Sequence, residues 1–109
     1  MNRELLRTPA FTRALRAWLK SRPGAASAIE ETLQLLSEDA YHPSLRTHKL
    51  RGSLAGCWTC SAGYDPRIVF EFVTHEEAEA ILLLALGTHD QILLKANRNP
   101  AGIGPARLL

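Results

Sequence analysis

The hydrophobic period of this chain changes once, and that change limits what it can fold into. Between Phe11 and Ala40 apolar residues recur at helical spacing, and between Gly56 and Leu86 they follow strand patterns. Helices segregated from strands in this way make an α+β domain, with a helical layer packed on a small antiparallel sheet. Phe11, Leu15, Trp18 and Leu19 form the apolar stripe of a first helix, with Arg13, Arg16 and Lys20 largely off it. Thr8 before Pro9 provides an N-cap followed by proline at the first helical position. Ser21-Arg-Pro-Gly24 ends that helix. Ser27 and Glu30 have capping-box spacing for a second helix, whose face is Ile29, Leu33, Leu36 and Ala40. The two read as a helical hairpin, preceded by a short strand at Leu5 and Leu6.

Three strands follow, over Gly56–Ala62, Arg67–Val73 and Ala80–Leu86. Gly63-Tyr-Asp65-Pro66 turns between the first two, and Thr74 to Glu79 connects the last two. Ile68, Phe70 and Phe72 alternate with Arg67, Val69 and Glu71, so one face is apolar. Ile81 to Leu86 shows no alternation, which suits a central strand covered on both faces, although a buried helix has the same pattern. The expected order is β-α-α-β-β-β. One sheet face packs on the hairpin and the other is open to a ligand. The domain is expected to span residues 1–94, with 95–109 a flexible tail that shows no period.

A chain of 109 residues supports one core. Thirteen Lys and Arg against eleven Asp and Glu make it mildly basic, which is weak support for an anionic partner. No apolar run approaches the roughly 20 residues needed to span a bilayer, and no apolar signal region follows Arg3, Glu4 and Arg7. A cytoplasmic protein without a membrane partner is expected. Cys57 and Cys60 are spaced like a redox or zinc motif, but they sit in a strand and lack a second ligand pair. They read as structural cysteines, and no metal or cofactor is expected.

The base is concentrated in His42-Pro-Ser-Leu-Arg-Thr-His48-Lys-Leu-Arg51-Gly, which has two histidines, three fixed cations and no carboxylate. Two further polar clusters lie at strand ends: Asp65 with Arg67, and His89 with Asp90. If the fold brings these together, they suit RNA cleavage. Attack by a ribose 2′-OH requires one proton to be removed and another delivered to the leaving 5′-oxygen, which imidazoles do near neutral pH. Guanidinium and ammonium groups stabilise the charge that builds on phosphorus. His75 is surrounded by Glu76, Glu77 and Glu79, and His42 is expected to have a local role.

Taken together, His42-Pro-Ser-Leu-Arg-Thr-His-Lys-Leu-Arg-Gly52, Trp58-Thr-Cys-Ser-Ala-Gly-Tyr-Asp65, Arg67-Ile-Val-Phe-Glu-Phe72 and Gly87-Thr-His-Asp90 resemble the RelE/YafQ branch of the RelE/ParE toxin superfamily. The resemblance runs in outline from Leu5 to Leu93. It implies the toxin of a type II toxin–antitoxin pair, an mRNA endoribonuclease acting in the ribosomal A site. A small antitoxin would cover the active site, and operator DNA would be reached only through that antitoxin. By the resemblance His48, Asp65 and His89 are catalytic, and Arg67 binds phosphate. Lys49 and Arg51 are expected to share that task, with Arg46, Ser61 and Asp90 in support. His89 is expected as general acid, and His48 or Asp65 as general base. Ser61 stands where YafQ has a further catalytic histidine, and Leu93 where these toxins carry an aromatic residue. The alternatives are a ParE-like inhibitor of DNA gyrase, which needs no proton carriers, and a catalytically weakened homologue that mainly binds antitoxin.

Overall fold

A computed structural model describes residues 2–63 and 65–92. The strands are β1 (Glu4–Arg7), β2 (His48–Lys49), β3 (Trp58–Ser61), β4 (Arg67–His75) and β5 (Ala78–Gly87), and the helices are α1 (Pro9–Ser21) and α2 (Ala26–Glu38). They form one sheet of order β1-β5-β4-β3-β2 with the helical hairpin on one face. The α+β class and the segregation of helices from strands are as expected. Two details correct the expectation. The sheet is mixed, because β1 runs parallel to its neighbour β5. It also has a fifth strand, β2, which extends the β3 edge antiparallel inside the basic run.

Thr8 caps α1 as expected: its hydroxyl accepts from the Phe11 amide and donates to the Leu83 carbonyl at 2.9 Å. One residue thus satisfies a helix end and ties it to the central strand. The capping box at Ser27 is not used. A 3-10 turn at Pro23–Ala25 runs straight into α2, and the Ala26 amide already bonds to the Pro23 carbonyl. The expected six-residue connection Thr74 to Glu79 is instead a tight hairpin, with Glu76 and Glu77 both left-handed at φ 51° and 66°.

Phe11, Trp18, Ile29, Leu33 and Leu36 pack on Ile68, Phe70, Ile81 and Leu83 to form the main core. The opposite face is not bare. Leu54, Cys57, Val69, Leu82, Leu84, Ala85 and Ile92 make a second apolar cluster there. A β-bulge explains the missing alternation in β5. Val69 pairs with Ala85 but Phe70 with Leu83, so Leu84 is an extra residue. Leu84 and Ala85 therefore both join the second cluster, while Leu83 and Leu86 face the helices. No helix among the described residues is long and apolar enough to cross a membrane. The expected tail at 95–109 lies outside the described residues.

Candidate active site

The basic run is built from a short anchor outward. Leu45 is buried and holds the 3-10 turn Pro43–Leu45 against the main core. His42 caps that turn, its Nδ1 accepting from the Ser44 amide at 3.2 Å, in keeping with the local role expected of it. Arg46 follows in the left-handed region at φ 53°, a conformation that costs a non-glycine residue about 1–2 kcal/mol. That kink turns the Arg46 carbonyl toward His48, and His48 Nδ1 lies 2.8 Å from it. A carbonyl can only accept, so Nδ1 carries the proton and donates. In the neutral imidazole Nε2 is then the basic nitrogen.

Strand register brings the distant segments together. His48 pairs with Thr59, Ser61 with Arg67, and Arg67 with Gly87. Ser61, Arg67 and Gly87 thus lie in one row across three strands, on the face turned away from the helices. Gly63, left-handed at φ 82°, makes the β3–β4 turn, and Arg67 Nη1 donates to the Asp65 carbonyl at 3.0 Å. Beyond Gly87 a capping box forms. The Thr88 amide donates to Gln91 Oε1 at 2.8 Å, and the Gln91 amide donates to Thr88 Oγ1 at 3.1 Å. A helical turn over residues 89–92 starts there, with His89 exposed at its head and Ile92 in the second cluster. A Cβ at Gly87 would come within 2.8 Å of Gln91 Oε1, so the Gln91 side chain that accepts from the Thr88 amide would have to shift.

The result is a cavity of about 230 Å³ lined by Arg46, His48, Leu50, Thr59, Ser61, Arg67, His89 and Ile92. Two imidazoles and two guanidinium groups share it, with no carboxylate among its described lining. Such a cavity attracts an anion and has proton carriers beside it. His48, Arg67 and His89 meet here, joined by Arg46 and Ser61. The other expected residues do not join the lining. Asp65 is exposed on its turn, and Arg51 and Asp90 are exposed outside the cavity. Lys49 alternates to the opposite face from His48, where its ammonium lies 5.4 Å from the centroid of the Trp58 ring. Leu93 lies outside the described residues.

Thr59 was missed from sequence. Its hydroxyl is buried without a hydrogen-bond partner among the described residues. The pairing of His48 with Thr59 is the only clue to it, and that pairing depends on β2. The Thr88…Gln91 spacing was readable as a capping box and would have predicted a helical start at His89. Neither cysteine is among the residues that line the cavity. Burial pushes Cys57 up to about 11, with the nearby Glu71 charge adding to it. Burial pushes Cys60 up to about 12, against a smaller opposing pull from Arg67. His75 lies at the far end of β4, with Nε2 3.7 Å from Glu4 and 3.9 Å from Glu76.

No family model and no curated protein matches this chain. Solved structures do match. YafQ from E. coli strain BL21(DE3) superposes with a TM-score of 0.67 at 13% identity, covering 83% of this chain and 97% of that one. The YoeB/ParE toxin from Agrobacterium tumefaciens gives 0.65 at 14% identity, covering 79% and 98%. The toxin–antitoxin complex RelBE2 from Mycobacterium tuberculosis gives 0.62 at 20% identity, covering 82% and 100%. The chain therefore has the fold of the RelE/YafQ-type toxins.

Proposed function

We propose that this protein is the toxin of a type II toxin–antitoxin pair and that it cleaves mRNA by general acid–base catalysis. The observation that carries the reading is the meeting of His48, Arg67 and His89 in one cavity, from three separate segments. A fold shared with toxins, two of them solved in toxin–antitoxin complexes, supports it.

His48 is the general base. Its Nδ1 bond to the Arg46 carbonyl leaves Nε2 to take the proton of the ribose 2′-OH. The 2′-oxygen attacks phosphorus, and the bond to the 5′-oxygen breaks. His89 gives its proton to that oxygen. The products are a 2′,3′-cyclic phosphate and a 5′-OH end. Asp65, exposed outside the cavity lining, is the weaker candidate for base. Arg67 and Arg46 hold the phosphate and offset its growing charge, a task that Lys49, on the opposite face, does not share. The residues need no cofactor for this chemistry. The same reading has the mRNA presented in the ribosomal A site and the site covered by an antitoxin.

Expression without antitoxin, combined with cleavage of mRNA on purified ribosomes, tests it. His89→Ala and His48→Ala are each expected to slow cleavage by about 10²- to 10⁴-fold, with relief of growth arrest. Undiminished cleavage in both variants would sink the assignment. Arrest with intact mRNA and blocked gyrase supercoiling would replace it with the ParE-like alternative.

A further inference from the structure

The cavity that holds His48 and His89 is the smaller lobe of a larger cleft. Arg46, Ser61 and Arg67 are a shared wall. On its other side lies a space of about 460 Å³, lined also by Ser44 and Gly63. Among its described lining this second lobe has neither imidazole and no other proton carrier. It does have two guanidinium groups, the Ser61 hydroxyl, the Ser44 hydroxyl (bonded to His42 Nδ1 at 2.8 Å) and no carboxylate among its described lining. Farther along, past Ser44, Ser61 and Gly63, the surface changes character, and the next hollow is walled by Ala28, Glu31 and Leu35. The wall that carries both guanidinium groups therefore faces two lobes, one with the catalytic imidazoles and one without, and beyond the second the surface meets a carboxylate.

We propose that this wider lobe is a second phosphate subsite, which takes the phosphodiester next to the scissile one. The inference rests on the nuclease reading and deepens it by setting how the chain of RNA lies. Two neighbouring phosphates of one strand can lie on either side of a wall that carries two guanidinium groups, and charge-assisted bonds from those groups, with the Ser61 hydroxyl, are the donors suited to them. Arg46 is the residue best placed to bridge the lobes. Its side chain lines both, and its left-handed backbone fixes the carbonyl that orients His48. Occupation of the second lobe would thus position the same turn that holds the base.

Dinucleotides with a 2′-deoxy sugar before the internal phosphate cannot be cleaved, and three forms separate the possibilities: unphosphorylated, 5′-phosphorylated and 3′-phosphorylated. Binding is read by NMR titration of the full chain at low salt. One terminal phosphate is expected to tighten binding about tenfold, and which one tells whether the lobe lies on the 5′ or the 3′ side. The ratio between phosphorylated and unphosphorylated ligand is internal to each protein, so a general loss of affinity cancels. That ratio is expected to fall to about one in both Arg46→Gln and Ser44→Asp. Equal binding of all three forms by the unmutated protein, or a ratio that survives both substitutions, overturns the subsite. If no form shifts the His48 and His89 signals, the nuclease reading fails and the subsite with it.

Discussion

His48 shows how far a single residue can be read from sequence. Its presence in a cationic run marked it for chemistry, yet the run alone describes a solvated loop equally well. The role of base proposed for it depends on one bond to the Arg46 carbonyl, which depends on a left-handed Arg46 that no composition rule signals. Cys57 and Cys60 are the converse case. Strand geometry argued against a redox pair, and both are buried thiols. Both are held above the ordinary thiol value of 9.0, at about 11 and about 12, so the folded chain binds these protons more tightly than the unfolded chain. Their contribution to stability is complete below pH 9 and is lost as pH rises through 11 and 12. Urea midpoints should therefore fall as pH climbs from 9 to 11, and the Cys57→Ser/Cys60→Ala variant should lose stability less steeply over that range. Parallel curves for the two proteins would show that the thiols are not buried as described.

Elements with strong periodicity were readable, and elements that depend on a partner were not. Each helix has its own stripe and breaker, so the hairpin follows from Phe11, Trp18, Ile29 and Leu36. β2 has only two residues, both exposed, and exists because β3 offers an edge to pair with. The turn between β4 and β5 was obscured because it lacks the expected residues. A two-residue hairpin with both residues left-handed normally carries Asn-Gly or Asp-Gly. Here Glu76 and Glu77 take those positions, each at a cost of about 1–2 kcal/mol. Glu76→Asn with Glu77→Gly should remove part of that cost and raise stability by about 1 kcal/mol, or roughly 4 °C or more in melting temperature. Because the turn lies at the opposite end of β4 from Arg67, RNA cleavage should not change. An unchanged or lower melting temperature would mean that the glutamates make compensating contacts.

Across the whole molecule, the fold and the site are built from different residues. The two apolar clusters lie on opposite faces of the sheet, and the cavity opens where β3, β4 and β5 end together, beyond the bulge in β5. Period and charge are local properties, so the layers could be inferred from them. Convergence of His48, Arg67 and His89 is set by register across three strand pairings, and a one-residue slip would move each side chain to the other face. Sequence could therefore name these three but could not separate them from Asp65, Lys49 and Arg51, which fall outside. This division predicts that activity and stability can be changed independently. His48 and His89 are exposed, and exposed substitutions outside special backbone positions shift stability by about 0.5 kcal/mol or less. The His48→Gln/His89→Gln variant should thus melt within a few degrees of the unmutated protein while losing cleavage. Leu83 is fully buried in the main core, on the strand that packs against α1, and Leu83→Ala should cost about 2–5 kcal/mol. At a temperature where Leu83→Ala remains folded, its cleavage rate should stay near normal, because no part of its side chain lines the cavity. A histidine variant that melts early, or a folded Leu83→Ala protein that is inactive, would show that the site is part of what holds the sheet together.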